Sequence, residues 1–338
     1  MTLKNIMLSH GAGGKQTHDL IAELFVENFS NIYLDSLDDS AVLGQEGPDS
    51  EFVFTTDSYV VKPTFFPGGN IGKLAVCGTV NDLAVMGAVP KYLSCGFIIE
   101  DGFLFSDLEK IVVSMKSALD EAGSRIVTGD TKVVEKGAAD GIFINTAGVG
   151  VRKKGIRPGI SSIQEGDVIL INGFIGDHGL AVMAERENFP FKTSVTTDCA
   201  PLNGLISKLV EAVPGTRFMR DATRGGLATV LNEIASESSL GIRLDEQSIP
   251  KRETTAKFCD MLGLDPLYLA NEGKVVAVVP GTDLETALAA LKSHPYGTDS
   301  AVIGRLVGEH PGRVTIKTAI GGSRILDMLT GDPLPRIC

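Results

Sequence analysis

The chain reads as an α+β protein of two domains and a tail, and three features of the sequence predict it. At 338 residues it exceeds one ordinary domain and suits two of roughly 150 residues each. Strand-like alternation and helix-like periodicity are intermixed at long separations, which favours a mixed sheet over a strict βαβ repeat. The stretch from Lys153 to Gly166, with its glycine, proline and serine, follows neither period and is the natural linker. The expected division is an N-terminal domain over 1–155, a C-terminal domain over 156–320 and a tail over 321–338.

Taken in order, Leu20, Ile21, Leu24 and Phe25 form one helical face between Lys15 and Phe29, directly after the glycine-rich His10-Gly11-Ala12-Gly13-Gly14. That turn is not a Walker loop, because Ser9 stands where the first glycine belongs and Gln16 follows Lys15 in place of Ser or Thr. Asn31 to Leu34 is a short strand leading into Asp38-Asp39-Ser40-Ala41. Phe52 to Thr56 alternates as a strand, delivers Asp57 at its end and continues through Tyr59-Val60-Val61 until Pro63 stops it. Gly72 to Met86 is apolar or small on every side, so it predicts a mostly buried helix with Asn81-Asp82 in its middle. A carboxylate there needs a partner.

A strand from Tyr92 to Ile99 follows, and Ser106-Asp107-Leu108-Glu109 has the spacing of a capping box opening a helix to about Gly123. Arg125 to Thr128 is a buried-strand candidate running into Gly129-Asp130-Thr131-Lys132, and Ile142 to Val151 is another strand. Beyond the linker, Asp167 to Ile171 opens the second domain as a strand, followed by Gly173 and Gly176-Asp177-His178-Gly179. Helices are expected over Leu202–Val213, from Arg224-Gly225-Gly226 through Ser236, over Glu253–Leu262 and over Leu284–Leu291, with a strand at Lys274–Val279.

The chain ends Gly331-Asp332-Pro333-Leu334-Pro335-Arg336-Ile337-Cys338. Prolines one residue apart disfavour helix and remove amide donors, so this end predicts an extended strap, hinged at Gly321-Gly322 and Gly331. Cys338 has no residue after it, which leaves its sulfur sterically open; the adjacent carboxylate disfavours thiolate, and Arg336 offsets that charge.

Composition excludes several function classes. With 43% hydrophobic and 22% charged residues the mixture is that of an ordinary globular protein. A net charge of −11 without a Lys/Arg cluster argues against a nucleic-acid surface. No basic-then-apolar leader and no apolar run near the roughly 20 residues of a membrane span occurs, so a cytoplasmic protein with no membrane contact is expected. Five cysteines without a C-x-x-C pair fit neither a disulfide framework nor a thiolate zinc site. Cys77, Cys95, Cys199 and Cys259 lie in apolar or small-residue runs and read as reduced packing residues.

Two constellations are candidates for chemistry. Asp39, Asp57, Asp82 and Asp221 each sit at an element end or in a small-residue segment, which suits Mg²⁺ held between carboxylates and nucleotide phosphates; turns and caps use isolated aspartates equally well. Gly11 to Lys15, Gly129 to Lys132 and Asp221 to Gly226 set backbone amides beside Lys or Arg, as phosphate-binding turns and plain helix starts both do. His10, His18 and His178 have no metal-ligand spacing and read as capping, packing or surface residues.

Five segments in order, Asp38-Asp39-Ser40-Ala41, Thr56-Asp57-Ser58, Gly78 to Ala88 with Asn81-Asp82, Gly129-Asp130-Thr131 and Asp221 to Gly226, resemble the ATP-binding signature of the aminoimidazole ribonucleotide synthetase-like (PurM-like) superfamily. Within it His10 to Lys15, Gly176 to Gly179, Asn271-Glu272-Gly273-Lys274 and the terminal Pro335-Arg336-Ile337-Cys338 resemble the HypE family of NiFe-hydrogenase maturation factors. The match covers essentially the whole chain; Ala222 stands where relatives often have proline.

The resemblance implies an N-terminal mixed α/β domain whose strands form a barrel in a homodimer, a C-terminal α/β sandwich and a flexible tail. It implies ATP and Mg²⁺ as cofactors, with metal on Asp39, Asp57, Asp82 and Asp221, and nucleotide at Lys15, Asn81, Gly129, Asp130, Thr131 and Arg224. It implies ATP-dependent dehydration of a carbamoyl group on Cys338, from thiocarboxamide to thiocyanate, with Lys132 and Glu272 as proton-transfer groups whose mutual attraction sets their charge states or makes only a structural ion pair. The implied partners are the HypF carbamoyltransferase as donor and the HypC–HypD complex as cyanide acceptor, the tail moving between inward and outward positions. Rival readings are a selenophosphate synthetase, which would carry a reactive Cys or selenocysteine in the segment His10 to Lys15, an aminoimidazole ribonucleotide synthetase that leaves Cys338 idle, and a non-enzymatic scaffold.

Overall fold

The computed structural model describes residues 14–20, 22, 41–47, 49–156, 158–186 and 194–329. Asp39, the strand expected at Asn31–Leu34 and the terminal strap with Cys338 lie outside them. Helix α1 (Lys15–Leu20) leads the described chain, and strands β1 (Ala41–Gly47) and β2 (Ser50–Tyr59) form an antiparallel pair. The two-residue strands β3 (Phe65–Phe66) and β4 (Gly69–Asn70) precede helix α2 (Ile71–Val85), strand β5 (Val89–Glu100), helix α3 (Phe105–Ala122), and strands β6 (Arg125–Val134) and β7 (Ile142–Lys153). The first sheet runs β1-β2-β7-β5-β6, antiparallel except for the parallel β5–β6 pair that α3 connects.

Helix α2 begins where Asn70 Oδ1 accepts from the amides of Gly72 (2.9 Å) and Lys73 (3.2 Å), satisfying two otherwise orphaned donors. Its residues are buried on every side. Leu74, Val76 and Val80 pack in the core beneath the first sheet, whereas Ala84 and Val85 belong to the core of the second domain. The helix is therefore a spine shared by both. Helix α3 buries Ile111, Met115, Ala118, Leu119 and Ala122 at helical spacing and ends on Gly123 in the left-handed region (φ 68°). The expected capping box does not form: the cap residue is Leu104, with no side-chain bond, so Ser106 falls inside the first turn and Asp107 pairs with Lys110 (2.9 Å).

One expectation is reversed. The Ile-Val-Thr run predicts a buried strand, yet β6 is the edge of the sheet, and Ile126, Val127 and Val133 are exposed.

The second domain holds strands β8 (Val168–Ile171), β9 (Phe218–Asp221), β10 (Gly241–Asp245), β11 (Val275–Val279), β12 (Ala301–Val307), β13 (Val314–Lys317) and β14 (Ser323–Leu326) in the order β14-β13-β10-β12-β8-β11-β9. Its helices are α4 (Asp177–Ala184), α5 (Asn203–Ala212), α6 (Gly226–Ser238), α7 (Glu253–Leu262) and α8 (Leu284–Lys292). On β8 and β11, Ile169, Ile171, Val276 and Val278 join the core that α6 covers, whereas Val168, Leu170, Val275 and Ala277 join that of α5 and α8. Burial on both faces explains why these strands read as unbroken apolar runs. Ser323–Leu326, assigned from sequence to the tail, is the edge strand β14, and Gly321-Gly322 is the turn that joins it to β13. Cys77, Cys95, Cys199 and Cys259 are free and buried, as expected. Among the described residues no helix is long and apolar enough to cross a membrane.

Candidate active site at the shared helix

The ends of β2 and β9, the third turn of α2 and the lead into β11 converge. Asp57 lies two residues before the end of β2, its Oδ1 accepting from the Ser58 amide (2.7 Å) and lying 3.6 Å from Nη2 of Arg224. Asn145 on β7 braces this end of the strand by donating to Asp57 O (2.9 Å) and Ser58 Oγ (2.9 Å). Asp82, the carboxylate that needed a partner, accepts from Thr55 Oγ1 (2.9 Å). Asp221 ends β9 opposite Val275.

Glu272 sits behind them, almost completely buried. Burial first, then the negative charges of Asp221, Asp198 and Asp57, push its carboxyl well above the ordinary range. Tyr59 feels the same field, its phenol raised well above normal by burial and by Asp57, Asp82 and Glu272. Asp57, Asp82 and Asp221 are partly exposed and, with the buried Glu272, form one cluster of negative potential.

A buried pair unread from the sequence supports this centre. Lys274 Nζ lies 3.0 Å from Asp198 Oδ2, and Asp198 Oδ1 accepts from the Glu272 amide (3.0 Å). Burial pushes the Asp198 carboxyl up, but Lys274, His178 and the Glu272 amide outweigh it and hold it below its usual range. Gly273 permits the close approach, since a Cβ there would lie 1.9 Å from the Asp198 carbonyl oxygen. His178 packs edge-on against Phe66 with Nδ1 2.7 Å from Thr197 Oγ1, a packing role as expected, and His18 pairs with Glu233 (3.1 Å). The motif Asn271 to Lys274 pointed here; Asp198 lies in a polar stretch with no periodicity to mark it.

The remaining predicted residues are dispersed. Asn81 gives its side chain to the protein: Nδ2 donates to Ala200 O (3.1 Å), and Oδ1 accepts from the Leu202 amide (2.7 Å). It is a clamp between the shared helix and the second domain. Gly129, Asp130, Thr131 and Lys132 line the exposed edge strand β6, where Gly129 passes within contact of the Cys95 carbonyl. Lys132 pairs with Asp130, not with Glu272, so the mutual attraction expected between Lys132 and Glu272 is corrected. Lys15 pairs with Asp19 (2.7 Å), and its amide donates to Leu329 O (3.1 Å), fixing the root of the terminal segment beside α1.

Among the described residues no group of three or more His, Cys, Asp or Glu side chains is arranged to hold an ion unaided. Hard carboxylate oxygens nevertheless suit Mg²⁺, which completes its shell with phosphates and water, so Asp57, Asp82 and Asp221 fit an ion that arrives with a nucleotide.

Residues 37–152 match the N-terminal domain of the AIR synthase related proteins, and residues 164–317 match the C-terminal domain. A carbamoyl dehydratase HypE from Rhizobium leguminosarum bv. viciae is 51% identical over 334 residues, covering 98% of this chain and 95% of the relative. The structure of a HypE–HypF complex contains a chain that superposes with a TM-score of 0.86 at 50% identity, covering 92% of this chain and 99% of that one. A HypE structure in complex with ATP superposes at 0.82 with 47% identity, covering 99% of this chain and all of that one.

Proposed function

From the premise that this chain belongs to the HypE family of carbamoyl dehydratases within the AIR synthase related proteins, we infer that it removes water from a carbamoyl group on its own terminal sulfur. It is an ATP-dependent dehydratase of hydrogenase maturation. The observation that carries the assignment to this site is the buried carboxyl of Glu272, pressed toward its neutral form beside the carboxylates that suit a nucleotide-borne cation.

The reaction is thiocarboxamide plus ATP to thiocyanate, ADP and phosphate. The amide oxygen is a poor leaving group, so it must attack the γ-phosphorus and depart as phosphate; the C–O bond breaks, two N–H protons leave, and carbon and nitrogen become triply bonded. Asp57, Asp82 and Asp221, with Asp39, would hold Mg²⁺, which neutralises phosphoryl charge when bound. Arg224 lies 3.6 Å from Asp57 and supplies positive charge on the phosphate side. Glu272 exchanges protons: whenever the negative field around it is reduced its carboxyl ionises more readily and can accept a proton from nitrogen. Lys132 stands on β6 with its charge compensated by Asp130; its part as the second proton-transfer group rests on the family resemblance and requires that pair to open and the side chain to be brought to Glu272.

On this reading the residues after Leu329, whose carbonyl Lys15 anchors, carry Cys338 into the site and out again; nine residues fully extended span at most about 30 Å. HypF is the expected carbamoyl donor, since a close relative is found in a complex with HypF, and the HypC–HypD complex is the expected acceptor. A homodimer is supported by the apolar residues that the first sheet leaves exposed, Phe54, Tyr92 and Ile98 within the sheet and Val127 and Val133 on its edge strand β6.

The test is mass spectrometry of the full chain mixed with HypF, carbamoyl phosphate and ATP. Cys338 should gain a carbamoyl mass and then lose one water with ATP turnover; a chain lacking Cys338 should show neither change. Unchanged cyanide delivery by that shortened chain would overturn the reading in favour of a scaffold.

A further inference from the structure

A cavity of about 740 Å³ lies on the far side of the shared helix, where the end of α2, the start of β5, the end of β7 and helix α5 meet. Its floor is apolar, made by Ala84, Ala88, Val151, Ile206 and Val210. Ile156 closes one wall by resting against Gly87, where a Cβ would come within 2.6 Å of it. The rim has the opposite character. Lys91, Lys153 and Lys154 stand around the mouth and are exposed, with Glu211 as the single acid among the lining residues. Arg152 also lines the cavity, but its guanidinium is committed to Glu51 (2.9 Å) and to the Met86 carbonyl (3.2 Å). None of the lysines has an ion-pair partner among the described residues, although the chain as a whole carries a charge of −11.

Uncompensated cations gathered at one apolar cleft of an acidic protein are a recognition pattern. The volume falls within the range of small-molecule sites, far larger than a phosphate needs, and such sites combine an apolar lining with a few polar groups that orient the ligand. A bare inorganic anion would leave the floor wet, and an uncharged apolar molecule would leave the lysines without a partner. We propose that this cleft binds an amphipathic anion: a small molecule with an apolar body seated on Ala84, Ile206 and Val210 and an acidic group held by Lys91, Lys153 and Lys154. The site is separate from the acid cluster around Glu272, whose negative field would repel the same ligand.

The test uses 8-anilinonaphthalene-1-sulfonate as the anionic probe and N-phenyl-1-naphthylamine as its uncharged counterpart, titrated by fluorescence into the full-length protein. The sulfonate should bind saturably at one site, more tightly than the neutral amine and without displacement by ATP. Reversing rim charges in a Lys91→Glu/Lys154→Glu double variant should weaken the sulfonate about tenfold and leave the amine unchanged, since each exposed ion pair contributes a fewfold effect. Ser207→Trp, which fills the cleft from α5, should abolish both. Equal binding of the two probes, displacement by ATP, or sulfonate binding indifferent to charge reversal in a variant of unchanged melting temperature would overturn the proposal.

Discussion

Replacing Glu272 by Gln should make the protein more stable and inactive at once. In the absence of nucleotide and divalent cation, burial and the charges of Asp221, Asp198 and Asp57 raise the folded-state pKa well above the ordinary 4.5. Between those two values the folded chain binds more protons than the unfolded one, so stability falls as pH rises, by about 1.4 kcal/mol for each unit crossed. Below 4.5 both states are protonated and the penalty is absent; above the folded pKa it is complete. Glutamine keeps the shape, cannot ionise and so removes the whole slope. The chain contains no Trp, so urea unfolding followed by circular dichroism between pH 5 and 8 is the direct assay. The variant's advantage should grow with pH, while thiocyanate formation at Cys338 is lost, as expected where a strained group is kept for function. Parallel pH profiles for the two proteins, or a loss of stability at pH 8, would refute the electrostatic account.

Three further outcomes follow from the same geometry. Lys274→Met strips the counter-ion from a buried carboxylate 3.0 Å away and should cost roughly 3–5 kcal/mol at neutral pH in urea unfolding. Because the folded pKa of Asp198 is depressed, its stabilisation is present above the ordinary 3.8 and disappears as pH falls through the folded value, so that cost should shrink in acid. Asn81→Ala orphans the Leu202 amide and the Ala200 carbonyl and should cost about 2–5 kcal/mol, measured the same way; a role confined to nucleotide contact would instead raise the KM for ATP and leave stability unchanged. If the proposed homodimer forms through β6, a Val127→Lys/Val133→Lys pair on that exposed edge strand should shift sedimentation velocity toward the monomer, with its helix content preserved.

What could be read in advance follows from how each signal is encoded. Strands β2, β5, β7, β8 and β11 and helices α2, α5, α6 and α7 announce themselves by sustained apolar periodicity, and all lie close to their expected places. The strands that the sequence does not announce, β1, β3, β4, β9, β10 and β12 to β14, are short or mix charged residues or glycine into the run, as in Phe218-Met219-Arg220-Asp221. Helix α4 was unread because it opens on Gly176 and continues through Asp177-His178-Gly179, which looks like a loop until Thr255 (2.8 Å) and Arg252 (2.7 Å) satisfy Asp177. Strand β6 shows a deeper ambiguity. A sequence of β-branched residues reports that a surface wants to be covered, and does not report whether the cover comes from the same chain.

The site inherits its properties from the one helix that is buried on every side. A helix packed only by apolar residues has no preferred orientation about its axis, whereas α2 carries Asn81 and Asp82 on its third turn, each with a single acceptable environment. Asn81 reaches the backbone at Ala200 and Leu202 in the second domain, and Asp82 reaches Thr55 on the first sheet. Two adjacent polar residues thus fix the rotation of the helix and the register of the domains with the same bonds. That registration also sets the ends of β2 and β9 opposite each other, bringing Asp57 and Asp221 close enough to raise Glu272. The negative field around Glu272 leaves the Asn81 clamp intact, because its bonds to Ala200 and Leu202 are neutral and keep their strength whatever the charge state of the neighbouring acids. Stability and reactivity are consequently assigned to neighbouring positions on one turn, and a substitution at Asn81 should disturb catalysis through position alone while leaving every ionisable group of the site intact.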